Sequence, residues 1–431
     1  MKHDKRQPQV QTPAEIAVPV PEVYPLPNGV KLYSLDCSGQ DVIRFSFVFH
    51  AGTAVQHAPF SASSTANLLS EGSTKHSAQE IAEMLDYHGS YFDVSLDRDY
   101  VVINFVSLLK YFEQTLAIAR EILLMPAFSG EEIAVYCEKR KQRLAVERSK
   151  VATKARELFT ASLFGAGHPY GVSYDESYYG KLTREDIVSF YGERYTAGNC
   201  FVVCSGKIGE HERDMIAGVA SLLPSGGETS DPEFPAVKSK RFVFEAHEGA
   251  VQSAVRMGTL LFPRTHPDFT AMQVVSTVLG GYFGSRLVRN LREEHGYTYG
   301  AFSAIVNLQH AGYLAIATEV ATEVTQDSIA QIFAEIERLR TEPVPEEELR
   351  MVKNIMTGEV MRVLDGPFGI ADVTIENVSN GTGNDYNNRW LEEVRSITPD
   401  RVREIAGKYL DSARFTVVVV GDASLEKSLS V

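Results

Sequence analysis

Side chains able to bind metal or act as nucleophiles are sparse in this chain, and their spacing limits what it can do alone. Eleven histidines occur in 431 residues, yet none forms H-x-x-E-H or H-E-x-x-H. Those spacings matter because positions i, i+3 and i+4 lie on one helix face. Two imidazoles there can bind Zn²⁺, and the intervening Glu can act as general base on the metal-bound water. His50 and His57 have a spacing that suits neither a helical nor a zincin site, and they read as loop or surface side chains. The four cysteines, Cys37, Cys137, Cys200 and Cys204, are too few for a disulfide framework. Cys200 and Cys204 fall in CFVVC, where alternation puts both on one face of a strand. A buried strand is the expectation there, because free cysteine is among the most buried residue types. GGYFGSR (280–286) is a glycine-rich turn without the G-K-[ST] of a phosphate loop, so no nucleotide site is expected.

Bulk properties remove further classes. The net charge of −14 provides no basic face for a nucleic acid. Apolar residues at 44% and charged residues at 23% are ordinary for a globular protein with material for two cores. The start, MKHDKRQPQVQTPAEIAVPVPEVYPLPNG, is basic but has no apolar stretch of signal-peptide length, so a cytoplasmic location is expected. Apolar runs such as FTVVVVG (415–421) are too short to span a bilayer, and no membrane partner is expected.

The elements that must position any site repeat along the chain. LTREDIVSFYGERYTAGNCFVVCSGKI (182–208) and ITPDRVREIAGKYLDSARFTVVVVGDA (397–423) share a threonine cap, an amphipathic helix, a polar turn and a β-branched strand closing on glycine. Thr183 and Thr398, Gly206 and Gly421, and Glu132 and Glu347 are all 215 residues apart. A softer match pairs RFSFVFHAGTA (44–54) with SAVRMGTLLFP (253–263). Matches at one offset, in one order, imply two homologous halves of about 210 residues. Alternating strands at VKLYSLD, VIRFSFVFHAG, GSYFDVSLD and DYVVINFVSL precede and follow helical periodicity at 63–72, 77–89, 111–124 and 131–165. The expected class is α+β: two halves, each an antiparallel-rich sheet covered on one face by helices, together forming a clam-shell. The expected divisions are an N-terminal extension (1–23), a first domain (24–224), a Gly/Pro/Ser-rich linker (225–240) and a second domain (241–431).

From about residue 24 to 423 the chain resembles the pitrilysin-type (inverzincin) zinc metallopeptidases, which include insulin-degrading enzyme and mitochondrial processing peptidase. The landmarks are FVFHAGTAVQ, LLSEGST, GSYFDVSLDRDYVVI, FGAGHPYG and GGYFGSRLVRNLREEHGYTYG. Active relatives carry H-x-x-E-H just upstream of a segment like LLSEGST. The corresponding window here has Ser63 and Asn67 at the two histidine positions and Ala66 at the general-base position, while the downstream ligand position falls near Glu147. Serine and asparagine are poor zinc ligands, and alanine cannot take a proton. The resemblance therefore implies no zinc in this chain.

What the resemblance implies is retained is the substrate side. Tyr91, Phe92, Asp93, Val94 and Ser95 match the edge strand to which a peptide adds. Arg292 and Tyr299, seven residues apart, match a pair that contacts the substrate carbonyl and the developing oxyanion. By the same resemblance, the chain is expected to be the zinc-less subunit beside a paralogous H-x-x-E-H subunit that holds the zinc. The two would enclose a chamber for unfolded peptides, and the chain would form a homodimer in isolation. Two other readings are an active peptidase with unorthodox ligands and a structural subunit like the respiratory-complex core proteins.

Overall fold

The computed structural model describes residues 18–37, 39–227, 234–383 and 385–429. Most of the expected N-terminal extension and the middle of the expected linker lie outside the described residues. In the first half, strands β1 (Glu22–Pro25), β2 (Lys31–Asp36), β3 (Val42–Phe49), β4 (Tyr91–Leu96), β5 (Val101–Leu108) and β6 (Cys200–Gly206) form a sheet of order β1-β2-β6-β3-β5-β4. In the second half, β7 (Phe242–Ala246), β8 (Gln252–Leu261), β9 (Ala301–Asn307), β10 (Gly312–Ala321) and β11 (Thr416–Gly421) follow the order β7-β11-β8-β10-β9. β2 runs parallel to β6 and β7 runs parallel to β11; the remaining neighbours in both sheets are antiparallel. Apart from the extra strand β1, the second sheet repeats the first strand for strand.

The first-half helices are α1 (Ser61–Leu68), α2 (Ala78–His88), α3 (Phe112–Leu124), α4 (Gly130–Arg148), α5 (Val151–Phe164), α6 (Arg184–Arg194) and α7 (Glu210–Ala220). The second half has α8 (Phe269–Gly280), a π-helix at Val288–Glu294, α9 (Thr325–Thr341), α10 (Glu346–Val363), α11 (Pro367–Ser379), α12 (Asp385–Ser396) and α13 (Pro399–Tyr409). Alternation along the strands divides the core. Ile43, Phe45, Phe47 and Phe49 of β3 face α1, α3 and α6 of their own half, while Val48 faces away, with Leu35 and Val203. Both faces are covered, and β11 reads as a near-continuous apolar run, while β3 sets Arg44 and Ser46 among its outward positions. Cys200 and Cys204 are buried in β6.

The halves are interlocked by an exchange of helices. Ile370, Ala371 and Ile375 of α11 cover the outer face of the first sheet. Ala155, Phe159 and Leu163 of α5 cover the outer face of the second, against Ala254, Val418 and Val420. Gly258 of β8 admits α5: a Cβ there would lie 2.8 Å from the Phe159 ring and 1.9 Å from the Leu314 carbonyl oxygen. Charged side chains follow the same exchange. Arg44 of β3 donates to Asp372 of α11 at 2.6 Å and to the Phe368 carbonyl at 3.1 Å. Lys154 of α5 pairs with Glu245 of β7 at 3.0 Å.

One sequence expectation changes. The 131–165 helical run is two helices, broken at Ser149–Lys150 where Lys150 is extended (φ −92°, ψ 130°), because α5 leaves its own half to pack on the other sheet. As expected, each sheet carries its own helices on one face; the other face is covered by a helix from its neighbour.

Candidate functional site

Helix α1 lies against α6 and the edge strand β4, so its residues stand beside the rim of the first sheet. Ser63, Ala66 and Asn67 lie on it. The Ser63 hydroxyl donates to the Phe60 carbonyl at 3.2 Å, and the Asn67 amide donates to the Ser63 carbonyl at 2.6 Å. Ala66 is fully buried as core. The Tyr136 hydroxyl of α4 donates to the same Ser63 carbonyl at 3.4 Å, and burial pushes that phenol up to about 12. Glu147, near the end of α4, accepts from Arg143 one turn earlier at 2.8 Å. These residues do not fit a zinc ion. The two short polar side chains are turned onto backbone carbonyls, the carboxylate is engaged by an arginine, and no base stands between them. Among the described residues, no three His, Cys, Asp or Glu side chains converge as a metal site.

Strand β4, with Tyr91, Phe92, Asp93, Val94 and Ser95, is the edge of the first sheet and, among the described residues, pairs with β5 alone, from Tyr91 opposite Val106 to Leu96 opposite Val101. Phe92 stacks toward Phe105 at 5.2 Å and, with Val94 and Leu96, packs on the core, while Tyr91 and Ser95 are exposed. The outer backbone of β4 thus offers unpaired N–H and C=O groups to an extended chain.

Arg292 sits on the π-helix, a form rare in proteins and frequent at functional sites. Its guanidinium lies 5.0 Å from the Tyr299 ring centroid and 4.7 Å from that of Phe283. Tyr299 is 89% exposed and Phe283 68% exposed. Among the described residues Arg292 has no carboxylate partner. The sequence spacing therefore brings Arg292 and Tyr299 into contact on an open surface, their donors available to a ligand. Phe283 was missed from sequence because GGYFGSR reads only as a turn. The glycines have a packing reason: a Cβ on Gly280 would meet the Ser303 backbone nitrogen at 2.5 Å, so they let the end of α8 approach β9.

The family model described as the peptidase M16 inactive domain matches residues 181–356, and that of insulinase, peptidase family M16, matches residues 65–167. The chain is 21% identical over 373 residues to an uncharacterized zinc protease of Mycobacterium leprae, covering 84% of this chain and 82% of that one. Its fold matches the peptidase M16 inactive domain from Pseudomonas fluorescens with a TM-score of 0.87 at 20% identity, over 94% of this chain and 98% of that one. A protease from Helicobacter pylori matches with a TM-score of 0.84 at 17% identity, over 93% and 100%. The chain belongs to the peptidase M16 family, the pitrilysin-type metallopeptidases, and lacks the H-x-x-E-H motif in its sequence.

Proposed function

We propose that this chain is the non-catalytic subunit of a two-subunit peptidase of its family, acting in the cytoplasm beside a paralogous subunit that carries H-x-x-E-H and zinc. In this reading β4 holds an unfolded peptide as an added strand. Arg292 and Tyr299 would donate to the substrate carbonyl and to the oxyanion developing on it, beside the zinc that the partner would hold. One observation carries the proposal: half-buried Arg292 packs against two exposed aromatic rings and is free of carboxylate partners among the described residues, in a chain whose own α1 offers neither ligand nor base. A donor pair on a surface is of use to a site completed by another chain. The test is reconstitution: this chain, the zinc-bearing paralogue, and the mixture are each assayed against an unfolded fluorogenic peptide. Cleavage by the mixture well above the sum of the separate chains supports the reading. A paralogue equally active without this chain rejects it.

A further inference from the structure

A cavity of about 400 Å³ lies where the two halves meet. The first half lines it with Ser63 of α1, Arg98 of the β4–β5 turn, and Arg156 and Glu157 of α5; the second half contributes Tyr313 of β10, among others. Two guanidinium groups thus face one space. Neither has an ion pair among the described residues. Arg98 Nη1 reaches only the Thr53 hydroxyl and the Val172 carbonyl, each at the long distance of 3.5 Å. A guanidinium has five N–H donors, so most of those on Arg98 are uncommitted. The nearby acids are engaged elsewhere. The Glu157 carboxylate accepts from Arg148 at 3.0 Å, and Asp99 accepts from the Tyr170 hydroxyl at 2.7 Å and the backbone N–H of Gln309 at 3.0 Å. Burial disfavours the charged form of Arg98 and the like charge of Arg156 adds to this, while Tyr313 and Asp99 work the other way.

Arg98 is half-buried and Arg156 exposed at the cavity's mouth; like charges lining one cavity repel, and an anion between them relieves both the repulsion and the unmet donors. The volume is that of a small-ligand site. We infer that this cavity binds a carboxylate, gripped between Arg98 and Arg156. A carboxylate presents two acceptor oxygens that match the planar fork of arginine. The inference is independent of any zinc-bearing partner, because every group it uses belongs to this chain.

Calorimetric titration of the full chain tests it with four probes: succinate, a short non-acidic peptide with a free C-terminus, its C-terminal amide, and the amide carrying one internal Glu. Saturable binding of at least one carboxylate probe, and none of the plain amide, is expected. Succinate alone binding identifies a free small acid; either carboxylate-bearing peptide binding identifies a peptide terminus or acidic side chain. Arg156→Gln, on an exposed position of α5, and Arg98→Gln should each weaken binding roughly tenfold or more, the scale of a lost charge-assisted hydrogen bond. Thermal unfolding checks that the variants fold, and if Arg98→Gln does not, Arg156→Gln alone decides. No saturation by any carboxylate probe at millimolar concentration, or equal affinity in folded Arg156→Gln, overturns the inference.

Discussion

At the scale of single residues, the absence of H-x-x-E-H is legible in the sequence because the motif depends on residue type at fixed helical spacing. Ser63, Ala66 and Asn67 stand at the expected positions on α1, and the structure adds where the polar atoms of Ser63 and Asn67 go, onto the Phe60 and Ser63 carbonyls. The purified chain is therefore expected to carry far less than one zinc per molecule by metal analysis. Stoichiometric zinc that disappears in Asn67→Ala would contradict this. The Arg292 environment was only partly legible. Spacing and resemblance paired it with Tyr299, but Phe283 is brought in by a turn whose geometry no short-range pattern encodes. Phe283→Ala should leave the melting temperature within the small range typical of surface changes. In the reconstituted pair it should lower kcat less than Arg292→Ala, because the ring steadies the guanidinium and donates nothing itself.

At the scale of elements, the repeat predicted which helices and strands recur, and the shared strand order bears that out. The break between α4 and α5 was not legible. No glycine or proline marks it, and the helical period runs through it; only the apolar face of α5 meeting the second sheet, a long-range contact, sets it. A second element-level feature hidden from sequence is buried Asp268 at the start of α8. Burial opposes its charge, but Lys408 and Tyr409 donating at 2.7 and 2.6 Å, and Arg401 at 2.6 Å, outweigh it and hold the carboxyl down at about 2. These bonds tie α8 to α13. A carboxyl depressed in the folded state contributes stability above its ordinary range near ~4, and that contribution is lost as pH falls through about 2. Asp268→Asn should cost about 2 kcal/mol at neutral pH. In urea melts the gap to the native chain should narrow between pH 4 and pH 2. A gap independent of pH over that window would show that the carboxylate charge is not what joins the two helices.

At the scale of the whole molecule, the two halves are similar in topology but are not independent in packing. α5 completes the second core and α11 the first, so each half separated at the 225–240 segment takes with it a helix that the other needs. Residues 18–227 and 234–429 expressed singly are expected to expose these sheet faces and aggregate, and co-expressed they should assemble into one cooperative unit. Two independently soluble, cooperatively melting halves would contradict the interlock. Sequence could reveal the duplication through its 215-residue offset. It could not reveal the exchange, since swapped and unswapped arrangements of α5 and α11 have the same local pattern. β4 lies at a sheet edge and Tyr299 on an open surface beside Arg292, the features on which the proposed role rests. The most direct test of that account is kcat of the reconstituted pair with Arg292→Ala in this chain. The account predicts a fall of about 10²–10³, with assembly, melting temperature and the partner's zinc content unchanged. An unaltered kcat in an intact complex would contradict it and leave this chain a scaffold.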